Sequence, residues 1–434
     1  VAVYGVLGSG AAYVPLDPAA PRARTIDLIE SCGITVLISQ DNNGAALREI
    51  CQGTDRSLVL AGVSGLGMEG VECVSLNTRV IGRVPAYDRQ VTDPAYIIFT
   101  SGSTGTPKGI VHTHASAMAY AEMAAKTYGL TQRDRMGNHA PLHFDMSTFE
   151  FFAGISRGAT VVLVPEVLTK LPASLSQLIA EERLSVWYSV PFALIQLVEY
   201  GALDARDLSA LRWVIFAGAP MSPKHLEQLQ NRLITTQFSN AYGPAEVNVV
   251  TYHNVAQGEA KAHASIPIGV PCAHADIILA EDGELLVATP AAMQGYWQQS
   301  QLTQAGFVAH SGRQYYKTGD LVERTDDGLL HYLGRKDRQV KIRGFRVELD
   351  EVELVLGQHL SVSEAAALVA PDGLTVEGFV SSAPGQDVSE AAVLAFCRDH
   401  LHGAAVPSRI TVCDTFPRTS TGTIDRKHLR KSIL

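Results

Sequence analysis

The stretch 96–109, YIIFTSGSTGTPKG, holds the residues whose types and spacing are best suited to chemistry. Its apolar run ends at Thr100 and predicts a buried strand, after which a polar loop with a single lysine, Lys108, follows. Glycine lets backbone N–H groups turn toward an anion, hydroxyl groups add donors, and the lysine adds positive charge. The predicted polyphosphate cradle consists of Thr100, Ser101, Gly102, Ser103, Thr104, Gly105 and Lys108.

The spacing of this loop is not that of the P-loop of kinases and GTPases, which requires Gly-Lys-Ser/Thr. Here Pro107 precedes the lysine and Gly109 follows it. Composition alone leaves a second interpretation open, in which a solvated loop connects a strand to a helix. The order STGTPKG after YIIFTSG resembles the phosphate loop of the adenylate-forming enzymes, which include acyl-CoA synthetases, luciferases and the adenylation domains of non-ribosomal peptide synthetases.

A second motif, NAYGPAE at 240–246, combines an amide, an aromatic ring, a Gly-Pro turn and a carboxylate. On its own it is typical of a turn whose tyrosine lies in the core. Beside the loop it resembles the family's adenine and magnesium motif, with Ala245 where threonine is common. The resemblance implies that Glu246 binds Mg²⁺, a cation that prefers carboxylate and phosphate oxygens. It also implies adenine contacts for Gly218, Ala219, Asn240, Ala241, Tyr242 and Gly243.

Two further motifs have plain interpretations as a Gly-Asp turn and a solvated charged run: YKTGD at 316–320 and GRKD at 334–337. Both resemble family motifs. The resemblance implies that Asp320 binds the ribose hydroxyls and that Arg335 contacts ribose or phosphate. Asp337 would be the hinge residue whose backbone rotates when a C-terminal domain turns from adenylation to thioester formation.

Asp145, in FDMSTFEFF, could simply cap a helix, as aspartate often does. In the peptide-synthetase branch of the family, the aspartate of this motif pairs with the substrate α-amino group, and a buried carboxylate needs such a partner. The family's specificity positions map onto Asp145, Met146, Phe149, Tyr188, Ile215, Ala217, Ala241, Val249 and Val250. This mostly apolar lining resembles that of free-standing prolyl-AMP ligases, which implies L-proline as substrate, with valine or another small aliphatic amino acid as the alternative.

The segment FPRTSTGTIDR at 416–426 resembles the family's C-terminal catalytic loop, with one departure. Thr423 stands where the family has a lysine that reaches the substrate carboxylate and the α-phosphate, and threonine is too short and uncharged for that role. Either this copy is a catalytically impaired nucleotide-binding homologue, or another group such as Lys341 compensates. A third alternative, a carboxylate–CoA ligase for an amine-free substrate, is disfavoured by Asp145.

The elements that must position these residues alternate between strand and helix. Apolar runs predict strands at 160–164, 185–190 and 213–216, with helices at 173–183 and after Pro223. This alternation is typical of doubly wound α/β layers, whose ligands bind at the carboxyl ends of the strands. From about residue 265, short strands and Asp-Gly turns predict a small β-rich subdomain.

The predicted organisation is an N-terminal adenylation core at 1–334, a hinge at 335–339 and a small, mobile α+β domain at 340–434. In the last domain we expect strands near 365–370 and 375–381 and helices near 348–359 and 388–400. Because the chain opens at Val1 inside an apparent helix, we interpret it as lacking an N-terminal segment. The family resemblance covers about residues 11–430, with six motifs in the family's order.

Composition favours an enzyme with small-molecule and protein partners. A net charge of −9 argues against nucleic acid or an anionic membrane as partner, and no apolar run is long enough to cross a membrane. Six cysteines without a Cys-x-x-Cys pair indicate neither a disulfide framework nor a zinc site. We expect a cytoplasmic monomer. The resemblance adds ATP and Mg²⁺ as cofactors and a phosphopantetheinylated peptidyl carrier protein as partner.

Four histidines near the motifs, His112, His114, His139 and His143, invite a metal interpretation. They belong to two separate segments, and the family needs no histidine metal site. We therefore predict no metal role for them.

Overall fold

In the computed structural model of the chain, the described residues are 2–76, 88–100, 102, 107–383, 385–418, 424–426, 428 and 429. The chain divides into two compact units. The first combines Val1–Arg89, Ser101–Thr106 and Val347–Leu434, and the second combines Gln90–Thr100 and Pro107–Arg346. The start and the end of the chain thus belong to one unit, and the division at residues 334 and 339 stays a prediction.

The first unit begins with a small parallel sheet and three helices. In chain order the elements are α1 (Ala2–Gly8), α2 (Arg22–Cys32), β1 (Val36–Ile38), α3 (Gly44–Gly53), β2 (Val59–Ala61) and β3 (Glu72–Val74). The sheet order is β1-β2-β3, with both pairs parallel. Ile29 and Leu60, both fully buried, lie in the core between helices and sheet.

The second unit is organised around a seven-stranded sheet. Its elements in chain order are β4 (Pro94–Thr100), β5 (Lys108–Thr113), α4 (His114–Thr127), β6 (Arg135–Asn138), β7 (Thr160–Leu163), α5 (Glu166–Thr169), α6 (Pro172–Glu181), β8 (Val186–Ser189), α7 (Pro191–Tyr200), β9 (Trp213–Phe216), α8 (Pro223–Arg232), β10 (Gln237–Tyr242), β11 (Thr251–Val255) and β12 (Val270–Pro271). The sheet order is β12-β11-β10-β9-β8-β6-β7. Pairing is parallel from β7 to β10 and antiparallel through β11 and β12.

The central parallel strands β8 and β9 are covered on both faces. Every residue of β8 and β9 is buried, as expected for strands that read as continuous apolar runs. Proline at the first turn starts α6, α7 and α8, because its fixed φ suits that position and its missing N–H is not needed there. Because β8, β9 and β10 are parallel neighbours, the loops that follow them lie at the same edge of the sheet, where ligands of α/β folds bind.

A β-rich part follows in the same unit. Its elements are β13 (Asp276–Leu279), β14 (Glu284–Ala288), β15 (Gly295–Tyr296), α9 (Ser300–Gly306), β16 (Phe307–His310), β17 (Arg313–Arg324), β18 (Leu330–Arg335), β19 (Gln339–Ile342) and β20 (Phe345–Glu348), whose last two residues belong to the first unit. The main sheet has the order β13-β14-β17-β16, with β18 beside β17. Strand β15 extends the β4–β5 hairpin.

The remaining elements of the first unit are α10 (Leu349–Gln358), β21 (Val362–Val369), β22 (Val376–Ser382), α11 (Glu390–His400) and β23 (Arg409–Val412). Their α+β content and their bounds agree closely with the sequence prediction. Within this unit, Arg24 pairs with the buried Glu351 at 3.2 Å and so joins the first and last segments of the chain. Among the described residues, the longest helix is α4, with 14 residues, and no helix is long and apolar enough to span a bilayer.

Candidate functional site

The predicted phosphate loop joins two antiparallel strands, β4 and β5. Thr100 and Lys108 are paired across this hairpin. The alternative interpretation, in which the loop connects a strand to a helix, is therefore wrong. Gly109 is needed for packing, because a Cβ there would lie 2.8 Å from the Phe99 ring. In the described part of the chain, the buried Thr100 hydroxyl has no hydrogen-bond partner. Ser101, Ser103, Thr104 and Gly105 lie outside the described residues, and Gly102 is buried.

The NAYGPAE motif ends β10 and turns back into β11. Only glycine fits at position 243, because a Cβ there would lie 1.7 Å from the carbonyl oxygen of Asn248. The Asn240 side chain donates to the Pro267 carbonyl at 2.8 Å, and the Tyr242 hydroxyl donates to Asp320. Gly218, with φ of +85°, and Ala219 lie in the loop after the neighbouring strand β9. The two predicted adenine segments thus leave adjacent strand ends.

Glu246, the predicted Mg²⁺ ligand, is fully buried and ion-paired. Nη1 of Arg346 lies 2.7 and 2.9 Å from its two carboxylate oxygens, and the Tyr296 hydroxyl donates to Oε1 at 2.8 Å. Burial alone would raise the pKa of this carboxyl group, but the Arg346 charge and the hydrogen bonds lower it to about 2. Glu246 is therefore an ionised carboxylate whose charge is already neutralised by a guanidinium group.

His112 supports the same turn. Its Nε2 lies 2.9 Å from the Ala245 carbonyl oxygen and its Nδ1 lies 3.1 Å from Ser116 Oγ, while its ring stacks on Tyr96. Burial lowers the pKa of His112 to about 4, so the ring is neutral at physiological pH. The ring therefore holds the residue that precedes Glu246 in place.

Asp320, Arg335 and Asp337 form one cluster where Arg335, the last residue of β18, pairs with Asp320 within β17. Arg335 donates from Nη1 to Asp320 at 2.8 Å and forms a bidentate pair with Asp337 at 2.6 Å for both bonds. Gly319, with φ of +71°, makes room for this guanidinium group, because a Cβ there would lie 2.7 Å from Nη2 of Arg335. Desolvation raises the pKa of Asp320 despite the opposing Arg335 charge. The glycine of YKTGD is thus required by the arginine of GRKD.

Asp145 is a partly buried carboxylate, and no cation in the described part of the chain contacts it directly. Among the described residues it accepts one hydrogen bond, from the Met146 amide at 3.0 Å, and forms no ion pair. Desolvation raises the pKa of Asp145, and the more distant Lys341 opposes this shift. The surrounding protein and the Arg346 charge lower the pKa of Lys341, although its side chain reaches solvent. Thr423 lies outside the described residues.

The local backbone around Asp145 differs from an ordinary helix start. Residues Asp145–Ser147 form a 3₁₀ turn that begins after Phe144, and Phe149–Gly154 form a π-helical segment. The alternative interpretation, in which Asp145 caps an α-helix, is therefore wrong. Segments of π-helix occur often at functional sites.

An apolar cavity lies beside this segment, and no charged side chain among the described residues lines it. Five of the nine predicted pocket residues contribute to its wall: Phe149, Tyr188, Ile215, Ala241 and Val249. Met146 and Ala217 pack in the same core, whereas Val250 faces a different one with Val247 and Leu285. Val249 and Val250, which precede β11, therefore pack in different clusters. The carboxylate of Asp145 interacts electrostatically with Tyr120 and Tyr188, which also line the cavity.

Sequence reasoning missed two residues of this site, Arg346 and Tyr296, which neutralise and hold Glu246. Arg346 stands in the charged run KIRGFRVE, where nothing in the sequence separates it from its solvated neighbours. Only the fold brings it to a carboxylate 100 positions away. The four histidines of the early motifs form no metal-binding group among the described residues; the one such group lies elsewhere, at His253, Glu259 and His263.

Comparison with known families gives two matches. Residues 1–297 match the family model described as AMP-binding enzyme, and residues 351–423 match the model described as AMP-binding enzyme C-terminal domain.

Two similar proteins are named L-proline--[L-prolyl-carrier protein] ligase. The one from Pseudomonas fluorescens is 33% identical over 98% of this chain and 84% of its own length. The one from Streptomyces coelicolor is 32% identical over 99% of this chain and 84% of its own length.

Solved structures agree with these matches. The Vibrio cholerae adenylation domain AlmE, in complex with glycyl-adenosine-5'-phosphate, is similar with a TM-score of 0.86 and 26% identity, over 99% of this chain and 86% of that chain. Holo-PA1221, which contains adenylation and PCP domains, is similar with a TM-score of 0.79 and 25% identity, over 99% of this chain and 72% of that chain. The predicted α/β class, with a large N-terminal and a small C-terminal domain, is confirmed by these matches.

Proposed function

The chain belongs to the AMP-binding enzymes, and from this premise we propose that it activates L-proline with ATP as prolyl-AMP and transfers the prolyl group to a carrier protein. It is a ligase that adenylates an amino acid. The choice of proline is supported by the names of the two relatives and by the apolar cavity. The monomeric state and the cytoplasmic location stay predictions.

The observation that carries the proposal is the state of Asp145. A desolvated carboxylate with a raised pKa is costly to keep ionised unless a cation pairs with it. No described residue supplies that cation at contact distance. Tyr120 and Tyr188, which interact electrostatically with Asp145, line the apolar cavity. The ammonium group of an amino acid would complete the pair while its side chain enters the cavity. A carboxylic acid without an amine would leave Asp145 uncompensated.

The proposed reaction has two steps. An oxygen of the substrate carboxylate attacks the α-phosphorus of ATP, the bond to the β-phosphate bridging oxygen breaks, and pyrophosphate leaves. The pantetheine sulfur then attacks the acyl carbon, its proton goes to solvent, and AMP leaves. Catalysis in the first step is mainly positioning and charge neutralisation. Lys108 and the loop donors would hold the phosphates, Asp320 and Arg335 would orient the ribose, and Asp145 would orient the amine.

The residues present fit a Mg²⁺ ion in one respect. Mg²⁺ is commonly bound by one or two carboxylates together with substrate phosphates, and Glu246 is an ionised carboxylate in the predicted motif. Arg346 contacts both of its oxygens, so the ion would bind at a remaining lone pair or displace the guanidinium group. When bound, Mg²⁺ would neutralise charge on the phosphate oxygens.

A second candidate function is favoured by one observation, Thr423 in place of the expected lysine. In that case the chain would bind ATP as a catalytically impaired homologue. Lys341 is the cation that would compensate if the chain is active, since its charge interacts with Asp145 and Asp320.

ATP–pyrophosphate exchange with a panel of amino acids tests the proposal. We expect the highest rate with L-proline and background rates with aspartate, lysine and glutamine, because the cavity wall offers these side chains no charged partner. A rate with valine well above that with proline would overturn the choice of substrate. Background rates with every amino acid, together with intact ATP binding, would instead favour the impaired homologue.

A further inference from the structure

Three side chains away from the nucleotide motifs converge at the antiparallel edge of the central sheet. His253 lies on β11, and Glu259 and His263 lie four positions apart around the short 3₁₀ helix Ala260–Ala262 that follows. Nε2 of His253 lies 2.7 Å from Glu259 Oε1, and Nε2 of His263 lies 3.0 Å from the same oxygen. All three side chains are mostly buried, and their potential ligand atoms lie within 4.8 Å of one another.

We propose that His253, Glu259 and His263 bind one Zn²⁺ ion. Two imidazoles and one carboxylate form a donor set found in zinc sites, with water as fourth ligand. Bond lengths of about 2.0–2.1 Å in a tetrahedral site place ligand atoms roughly 3.3 Å apart, so separations that reach at most 4.8 Å would have to change by about 1.5 Å or less. The set carries one negative charge with neutral histidines, which suits a divalent cation.

The atoms that form hydrogen bonds in the metal-free site are the same atoms that would ligate the ion, namely Nε2 of His253, Nε2 of His263 and Oε1 of Glu259. In the metal-free arrangement each Nε2–H donates to Glu259 Oε1. On binding, each imidazole in its neutral form would move its proton from Nε2 to Nδ1, so that the Nε2 lone pair binds the ion and no net proton is released. The second carboxylate oxygen of Glu259 accepts from the Ala256 amide at 2.7 Å, which orients the carboxylate before the ion arrives.

The position of the site gives the ion a structural role. In the register of β10 and β11, His253 is the partner of Asn240 and the preceding Tyr252 is the partner of Ala241. Tyr252 also lines the apolar cavity. An ion held by His253 and His263 would fix the segment 256–263 against β11, and therefore beside the strand that leads to Gly243. Zinc binding is thus expected to stabilise this edge of the nucleotide site without entering it.

The test uses the untagged, full-length chain, stripped with a chelator and titrated with zinc chloride by calorimetry. We expect one equivalent to bind and the Tm to rise by a few degrees at excess Zn²⁺. His253→Ala, His263→Ala and Glu259→Gln should each weaken binding at least about tenfold, the smallest loss typical for altering a metal site. The control His310→Ala removes an exposed histidine on β16 and should leave zinc binding unchanged.

A cobalt(II) spectrum of the wild-type chain separates this site from cysteine thiolates and does not depend on the folding of any variant. We expect a tetrahedral d–d band without thiolate charge transfer. Thiolate charge transfer, the absence of saturable binding at one equivalent, or zinc affinity that survives in folded His253→Ala and His263→Ala variants would each overturn the proposal.

Discussion

The proposed role of Asp145 leads to a prediction that separates recognition of the amine from every other function of the site. Asp145→Ala removes the only carboxylate predicted to face the substrate ammonium group. We expect kcat/KM for proline to fall, because the ammonium would then be desolvated without a partner. ATP affinity should stay nearly unchanged, since Asp145 is not among the residues proposed to contact the nucleotide.

The magnitude follows from the environment of the carboxylate. A hydrogen bond to a charged group contributes about 1.5–3 kcal/mol, and breaking a buried ion pair by removing one partner costs about 3–5 kcal/mol. Asp145 is partly buried, with a single protein hydrogen bond and a pKa raised by desolvation. The expected loss of transition-state stabilisation therefore lies where the two ranges meet, at about 3 kcal/mol. This corresponds to a roughly 10²-fold loss in kcat/KM.

The assay compares two substrates in two proteins. Cyclopentanecarboxylate has nearly the shape of proline but no amine, so the four exchange rates form a cycle that isolates the pair between Asp145 and the ammonium group. For the amine-free acid, Asp145→Ala should not lower the rate, since wild-type Asp145 has nothing to pair with. If Asp145→Ala reduces both rates by the same factor, Asp145 acts on something other than the amine, and the proposed ion pair is refuted.

A stability measurement provides an independent check on the same residue. Because the pKa of Asp145 is raised in the folded state, its ionised form costs folding free energy above that pKa. The cost falls as the pH drops below it and is gone below the pKa of the unfolded state. Asp145→Asn should therefore raise the Tm at neutral pH while it lowers proline activation. A lower Tm for this isosteric variant would indicate a structural rather than a substrate-binding carboxylate.

Two further predictions concern charge at the nucleotide site. Thr423→Lys should raise single-turnover adenylation by about 10²–10³-fold, because it restores a donor to groups whose charge rearranges in the transition state, and transfer from preformed adenylate should change much less; unchanged adenylation would rule out the impaired-copy interpretation. Arg346→Ala should lower the Tm, because Glu246 loses the partner of a buried ion pair, and Mg²⁺ should restore more Tm in this variant than in wild type. A Tm that Mg²⁺ does not affect in Arg346→Ala would show that Glu246 does not bind the ion.

The central sheet was predictable because its strands are apolar on both faces. The run WVIF predicts a strand at 213–216, and β9 has these bounds, with all four residues buried. Helix α8 begins at Pro223, where proline favours a first turn. The π-helical segment Phe149–Gly154 could not be read in the same way, since its apolar spacing also fits an α-helix start. Local patterns thus predicted the layers but not the backbone that carries Asp145.

Within the site, the motifs predicted which residues lie close together but not how their charges pair. Gly243 and Gly319 are required by close approaches to Asn248 and Arg335, so their motifs had a physical reason that only the fold reveals. Consecutive valines at 249 and 250 cannot both face one cavity, and the sequence alone does not say which one does. The partner of Glu246 was unpredictable because ion pairing over 100 positions depends on the tertiary fold.

The stretch 339–346 places two cations among the three carboxylates proposed to bind ligand groups. Arg346 contacts Glu246, and the charge of Lys341 acts on Asp145 and Asp320. The stretch packs closely, because a Cβ on Gly344 would lie 2.4 Å from Val190 at the end of β8. Each carboxylate is proposed to take a different ligand group, namely Mg²⁺, the amine and the ribose. The two oxygens of Glu246 already accept three hydrogen bonds from Arg346 and Tyr296. Mg²⁺ would therefore bind at a remaining lone pair of this carboxylate or displace one of these donors, so Arg346 controls how readily the ion reaches Glu246.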